Sequence, residues 1–184
     1  MNAALVLPGY ARPIRRDEYD KMVALGLFEG ERVELLYGVI VRMPPKGAPH
    51  DSAIQRLTAL LVPALLGRAT VRIQSSFAAS DGSEPEPDVA VVPPGEYRED
   101  HPSRAMLLIE VADSSLAVDR GVKAQLYAES GVAEYWVVNV RDAIVEVHSE
   151  VVAGAYTRVE PFRRGDRLRT AAFPDVDVAV SDIL

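Results

Sequence analysis

The spacing of apolar residues changes several times along this chain, and each change marks an element. Tyr19, Met22, Val23, Leu25 and Leu27 suit a short helix that starts at an Asp17 N-cap and stops between Gly26 and Gly30. Residues 33–43 read as two short strands turning at Tyr37-Gly38. The segment Pro44-Pro45-Lys46-Gly47-Ala48-Pro49 is a loop. From His50 to about Leu66 the apolar positions Ile54, Leu57, Leu60, Leu61, Ala64 and Leu65 fall at helical spacing, and Pro63 is expected to kink that helix or end it. A partly alternating strand is predicted over 71–79, a turn over 81–87, and short buried strands over 88–92 and 105–111. A helix follows from about 117 to 130, stopped by Gly131. A hairpin then joins 134–140 to 144–149 through Arg141-Asp142, and further strands fit 156–162 and 166–171.

This order predicts an α/β (α+β) domain with a mixed central sheet flanked by helices and extra strands at both ends. Residues 1–16, with Pro8 and Pro13, read as an extended arm before one domain over 17–184. The 184 residues suffice for that domain, and a hydrophobic content of 48% can fill its core. Cysteine is absent, which excludes disulfides, zinc–thiolate sites, iron–sulfur clusters and cysteine nucleophiles. The opening residues carry no basic segment and no stretch is long enough to span a membrane, so a cytoplasmic protein is expected.

The net charge of −7 argues against a protein that coats nucleic acid through a broad basic surface. It leaves room for a local strip, for which Arg12, Arg15, Arg16, Lys46, Arg56, Arg68, Arg72 and the group Arg163, Arg164, Arg167 and Arg169 are candidates. Three scattered histidines do not make a histidine cage, and there is no phosphate-binding glycine loop, dinucleotide fingerprint or nucleophile elbow.

The chemistry concentrates elsewhere. Asp88 heads one apolar run after Pro87, and Glu110 interrupts another, Leu107-Leu108-Ile109-Glu110-Val111. A carboxylate among buried strand residues is costly unless a cation meets it. Two that converge favour Mg²⁺, which takes hard oxygen ligands and keeps room for water and phosphate. In the second strand Leu108, Glu110 and Ala112 share one face. Glu110 lies roughly 7 Å before Ala112 at about 3.3 Å per strand residue. Lys123 lies roughly 9 Å into the following helix at about 1.5 Å per residue, so the two come out level. Small Ala112 leaves room for the lysine stem, and Tyr127 shares Lys123's helix face. Read alone, Asp88 fits a turn residue, Lys123 fits a pair with Asp119, His50 fits a cap, and Ser114 and Ser115 fit a turn. Glu34, inside Val33-Glu34-Leu35-Leu36, is a further acid in an apolar run, whereas Pro174-Asp175 repeats the dipeptide with no acid-bearing strand after it.

These residues resemble the PD-(D/E)xK nuclease superfamily and, more closely, the Uma-two family of bacterial restriction-endonuclease-type proteins. The matching text is Glu34-Leu35 with Gly38, then Pro44-Pro45 and His50, then Glu86-Pro87-Asp88-Val89, then Ile109-Glu110-Val111 with Ser114. It continues with Asp119, Lys123 and Tyr127 and ends in Gly131-Val132-Ala133-Glu134-Tyr135-Trp136-Val137-Val138. The resemblance implies a restriction-endonuclease-like core and a Mg²⁺- or Mn²⁺-dependent endonuclease acting on DNA as a homodimer. It makes Asp88 and Glu110 the metal ligands, with Lys123 and Glu34 beside them in catalysis and His50 and Tyr127 as additional site residues. The superfamily lysine commonly stands two residues after the second acid, a position held here by Ala112, and the Uma-two pattern moves it to Lys123. Two other readings stay open: a nucleic-acid-binding or interaction module with a vestigial site, favoured by the acidic balance and Ala112, and a phosphodiesterase acting on RNA or another phosphate substrate.

Overall fold

The computed structural model describes residues 11–184; the first ten residues of the expected arm lie outside them, and 11–15 carry no helix or strand. Helix α1 (Arg16–Ala24) starts two residues earlier than the sequence suggests: Arg15, not Asp17, is the N-cap, and its backbone N–H donates to the Glu18 carboxylate at 3.0 Å. Strands β1 (Val33–Leu36) and β2 (Val39–Arg42) form the expected hairpin. Tyr37 and Gly38 both have positive φ, at 50° and 76°, as its tight two-residue turn requires. A Cβ at Gly38 would stand 2.4 Å from that of Pro13, so only glycine lets the chain pack there. Helix α2 (Ala48–Ala64) begins two residues before His50, with Pro49 in its first turn and Pro63 in its last.

The central sheet has six strands in the order β3-β4-β5-β6-β7-β8. They are β3 (Thr70–Ile73), β4 (Val89–Val92), β5 (Leu107–Ala112), β6 (Tyr135–Asn139), β7 (Ile144–Val152) and β8 (Ala155–Arg163). All neighbours are antiparallel except β5 and β6, which run parallel. That pair needs a crossover, supplied by α3 (Leu116–Val118), a π-helical turn (Asp119–Lys123) and α4 (Ala124–Glu129). The predicted strand over 71–79 stops at Ile73 because Gln74 takes a positive φ of 47° and turns the chain away. At the far end β9 (Arg167–Arg169) pairs with β10 (Asp177–Ala179), and α5 (Val180–Ile183) follows.

The alternation of β5 decides which layer each side chain joins. Leu107, Ile109 and Val111 pack under α2 with Val89, Trp136 and the C-terminal strand pair. Leu108 and Ala112 pack on the opposite face with Tyr127, Ala124 and Phe77. Both faces of β5 are buried, hence its nearly unbroken apolar run. Glu134 ties β6 to the C-terminal pair by accepting from Trp136 Nε1 and from the Ala171 N–H, both at 2.6 Å. No helix among the described residues is long and apolar enough to cross a membrane.

Candidate metal centre

The register of β4 against β5 pairs Val89 with Ile109, which sets Asp88 opposite Glu110 one step further on, at the carboxyl end of β5. Two acids facing one another across strands repel. Both are buried, at 4% exposure each. The surroundings answer that repulsion with four converging elements.

From the crossover, the Lys123 ammonium reaches Glu110 Oε1 at 2.9 Å and Glu34 Oε2 at 3.0 Å, and Tyr127 donates its hydroxyl to the same Glu110 oxygen at 2.7 Å. From β1, Glu34 Oε2 also accepts the Glu86 N–H at 3.1 Å. That places the acid beside the lysine because an isolated bridge between Leu35 and Glu84 ties the hairpin to the segment leading into Asp88. From the start of α2, His50 Nε2 sits 3.1 Å from Asp88 Oδ2, which the Val111 N–H also meets at 2.9 Å. From the loop before α2, Lys46 Nζ lies 3.1 Å from Asp88 Oδ1, joined by Gln74 Nε2 at 3.4 Å.

The π turn has a role in this. Its wider coil, in which the Ala124 N–H reaches back five residues to the Asp119 carbonyl, sets the phase between Asp119 and the Lys123–Tyr127 pair. Asp119 turns to Ser115, whose hydroxyl donates to it, and both Asp119 and Lys123 are buried. The simple Lys123–Asp119 pair on an exposed helix is therefore not what forms; Lys123 takes Glu34 and Glu110 instead.

Acids outnumber cations here. Burial, with the charges of Asp119, Asp88 and Glu34 behind it, pushes Glu110 well above the usual carboxylate range, against the pull of Lys123. Burial also lifts Asp119 to about 6. Lys123 is held charged: desolvation opposes its ammonium, but Glu110, Glu34 and Asp119 outweigh that and raise its pKa. Burial likewise opposes ionisation of Asp88, yet His50, Lys46 and the Val111 N–H carry it below its ordinary value. His50 titrates above its ordinary value because the bond and charge of Asp88 outweigh burial.

Asp88 thus offers an ionised carboxylate, and Glu110 a second hard-oxygen group whose ionisation needs further positive charge nearby. Glu110 Oε2 accepts no hydrogen bond among the described residues, and both acids line a cleft of about 160 Å³. No three acidic or imidazole groups among the described residues converge closely enough to hold an ion alone. Two carboxylates are oxygen donors of the hard kind that Mg²⁺ takes while keeping several waters.

All six residues singled out in the sequence, Glu34, His50, Asp88, Glu110, Lys123 and Tyr127, meet in this one place. Asp175 of the repeated dipeptide is exposed and pairs with Arg68. Lys46, first read only as a basic position, and Gln74, unmarked in the sequence, join them. Several candidate basic residues are already paired: Arg12 with Glu18, Arg15 with Asp17 and Arg167 with Asp177.

A mixed sheet, acids paired across two central strands and a lysine from the following helix define a restriction-endonuclease-like protein. The chain belongs to the Uma2 family, described as "Putative restriction endonuclease", whose sequence profile matches residues 16–181. Among solved structures it is similar in fold to a putative nuclease belonging to DUF820 from Anabaena variabilis ATCC 29413. The TM-score is 0.73 at 16% identity, over 93% of this chain and 97% of that one. No curated protein matches.

Proposed function

We propose that this chain is a Mg²⁺-dependent endonuclease (Mn²⁺ substituting) that hydrolyses DNA phosphodiester bonds, working in the cytoplasm as a homodimer. The observation that carries this reading is the division of labour at each acid. One oxygen is tied to the fold, Asp88 Oδ2 by Val111 and His50 and Glu110 Oε1 by Lys123 and Tyr127; of the others, Glu110 Oε2 accepts no hydrogen bond among the described residues and Asp88 Oδ1 meets only the side chains of Lys46 and Gln74. Asp88 Oδ1 and Glu110 Oε2 would hold the ion.

When bound, such an ion supplies Lewis acidity, lowering the pKa of its water and steadying charge on the phosphate. The chain does the rest. Glu34 and Glu110 fix the Lys123 ammonium between them, and one of its three N–H groups is without a partner among the described residues. That N–H orients the attacking water and meets negative charge in the transition state. Tyr127 holds Glu110 in its rotamer, and His50 holds Asp88. Two copies related by a two-fold axis would address both strands of a duplex.

The test is nicking of supercoiled plasmid with Mg²⁺ or Mn²⁺. The wild type is expected to nick, and a Glu110→Gln, Lys123→Ala double variant is expected to be silent; equal nicking by both would defeat the assignment. A substrate panel containing RNA separates a DNase from a broader phosphodiesterase. One observation favours the rival reading of an ion-free binding module: Asp88 already has four donors. Calorimetry separates the two, because the rival binds neither Mg²⁺ nor Mn²⁺.

A further inference from the structure

The two oxygens proposed to hold the ion are not alike. Glu110 Oε2 is open, whereas Asp88 Oδ1 already holds a cation, the Lys46 ammonium at 3.1 Å. Its other partner, the Gln74 amide at 3.4 Å, is neutral. Nothing in the fold locks Lys46 there. It sits in the loop between β2 and α2 that forms one wall of the cleft, beside Gly47, and its side chain keeps 15% of its exposure. Asp88 is its one ion-pair partner among the described residues. Lys123 is the contrast: 5% exposed, bonded to two carboxylates and anchored by a helix.

We infer that Lys46 is a resident competitor for the divalent ion, neutralising Asp88 at the oxygen the ion needs and leaving when the ion arrives. The inference rests on the metal reading proposed above. Its physical basis is the facing of Asp88 and Glu110. Without an ion, positive charge near Asp88 offsets their repulsion across β4 and β5; Lys123 is committed to the other side and His50 to Oδ2, which leaves Lys46 as the charge at Oδ1. An ammonium on a long flexible stem can fill that place and withdraw into water with little rearrangement, since lysine is compact and strongly hydrated. The fixed donors on Oδ2 keep Asp88 aimed while Oδ1 exchanges partners. The cost is affinity: every ion bound must break one charged hydrogen bond.

Isothermal titration of the full chain with Mn²⁺ tests this. Lys46→Met is expected to bind Mn²⁺ about tenfold more tightly than the wild type, the scale of one charge-assisted hydrogen bond. Lys46→Arg, which keeps the charge, is expected to stay at or above the wild-type Kd. Lys46→Gln keeps a donor for Oδ1 without the charge and stands in for the methionine variant if that fails to fold. An unchanged or weaker affinity in the uncharged variants overturns the role of Lys46 alone, because the ion still binds. No heat in either wild type or variants overturns the metal reading and this inference with it.

Discussion

At the level of single residues the centre behaves as a balance of buried charges, and removing one member should be costly. Lys123→Met leaves Glu34 and Glu110 facing one another without their cation. It is expected to destabilise the ion-free fold by about 3–5 kcal/mol, read by urea unfolding, and added Mn²⁺ should recover part of that loss. Tyr127→Phe removes one of two donors to Glu110 Oε1 and is expected to cost about 1 kcal/mol. Away from the cleft, buried Glu84 lies beside Asp20, with His101 Nε2 3.6 Å from its carboxyl. Burial, then the charge of Asp20, pushes it from an ordinary 4.5 up to about 7. The folded state therefore keeps a proton that the unfolded chain has lost. Its contribution to stability is full below pH 4.5 and is lost as pH rises through about 7. Melting of Glu84→Gln across that window is expected to lack this share of the wild-type decline; identical slopes would refute it. Glu110 was readable because a glutamate within five apolar residues has no easy surface explanation. Lys46 was not, because a lysine in a proline-rich loop looks like any solvated charge until the loop's place is known.

At the level of elements the period of apolar positions carried most of the reading. The β1–β2 hairpin, the two faces of β5 and the apolar stripe of α2 all followed from spacing. Two features did not. The end of β3 depends on the positive φ of Gln74, a residue type with no marked taste for it. The π turn in the crossover depends on tertiary fit, since α and π coils share propensities and only the packing of Lys123 and Tyr127 on Glu110 selects the wider one. The level estimate for Lys123 and Glu110 held because one such turn alters the axial rise little while changing the rotation. Deleting Gly121 should convert the turn to an α-helix and remove the bulge that sets Asp119 against Lys123. Helical content by circular dichroism should survive, and nicking should fall by about 100-fold or more. Retained nicking would show the turn to be incidental.

At the level of the molecule one central six-stranded sheet carries an apolar layer on each face, and we propose that 17–184 unfold as a single unit. One transition, coincident by fluorescence and by circular dichroism, is expected in urea. The sheet has two rims. On one, β3 is only four residues long. On the other, β8 carries Arg158 and Glu160 and includes Pro161, which has no N–H to offer a neighbouring strand. Such a border resists being extended by a second copy. A two-fold assembly, detectable as a dimer by light scattering at micromolar concentration, would then have to meet through helices or loops. Its two cutting centres would be joined only by a surface contact that salt or dilution can loosen, so plasmid digestion should pass through an open circle before linear product, with the interval lengthening as the protein is diluted.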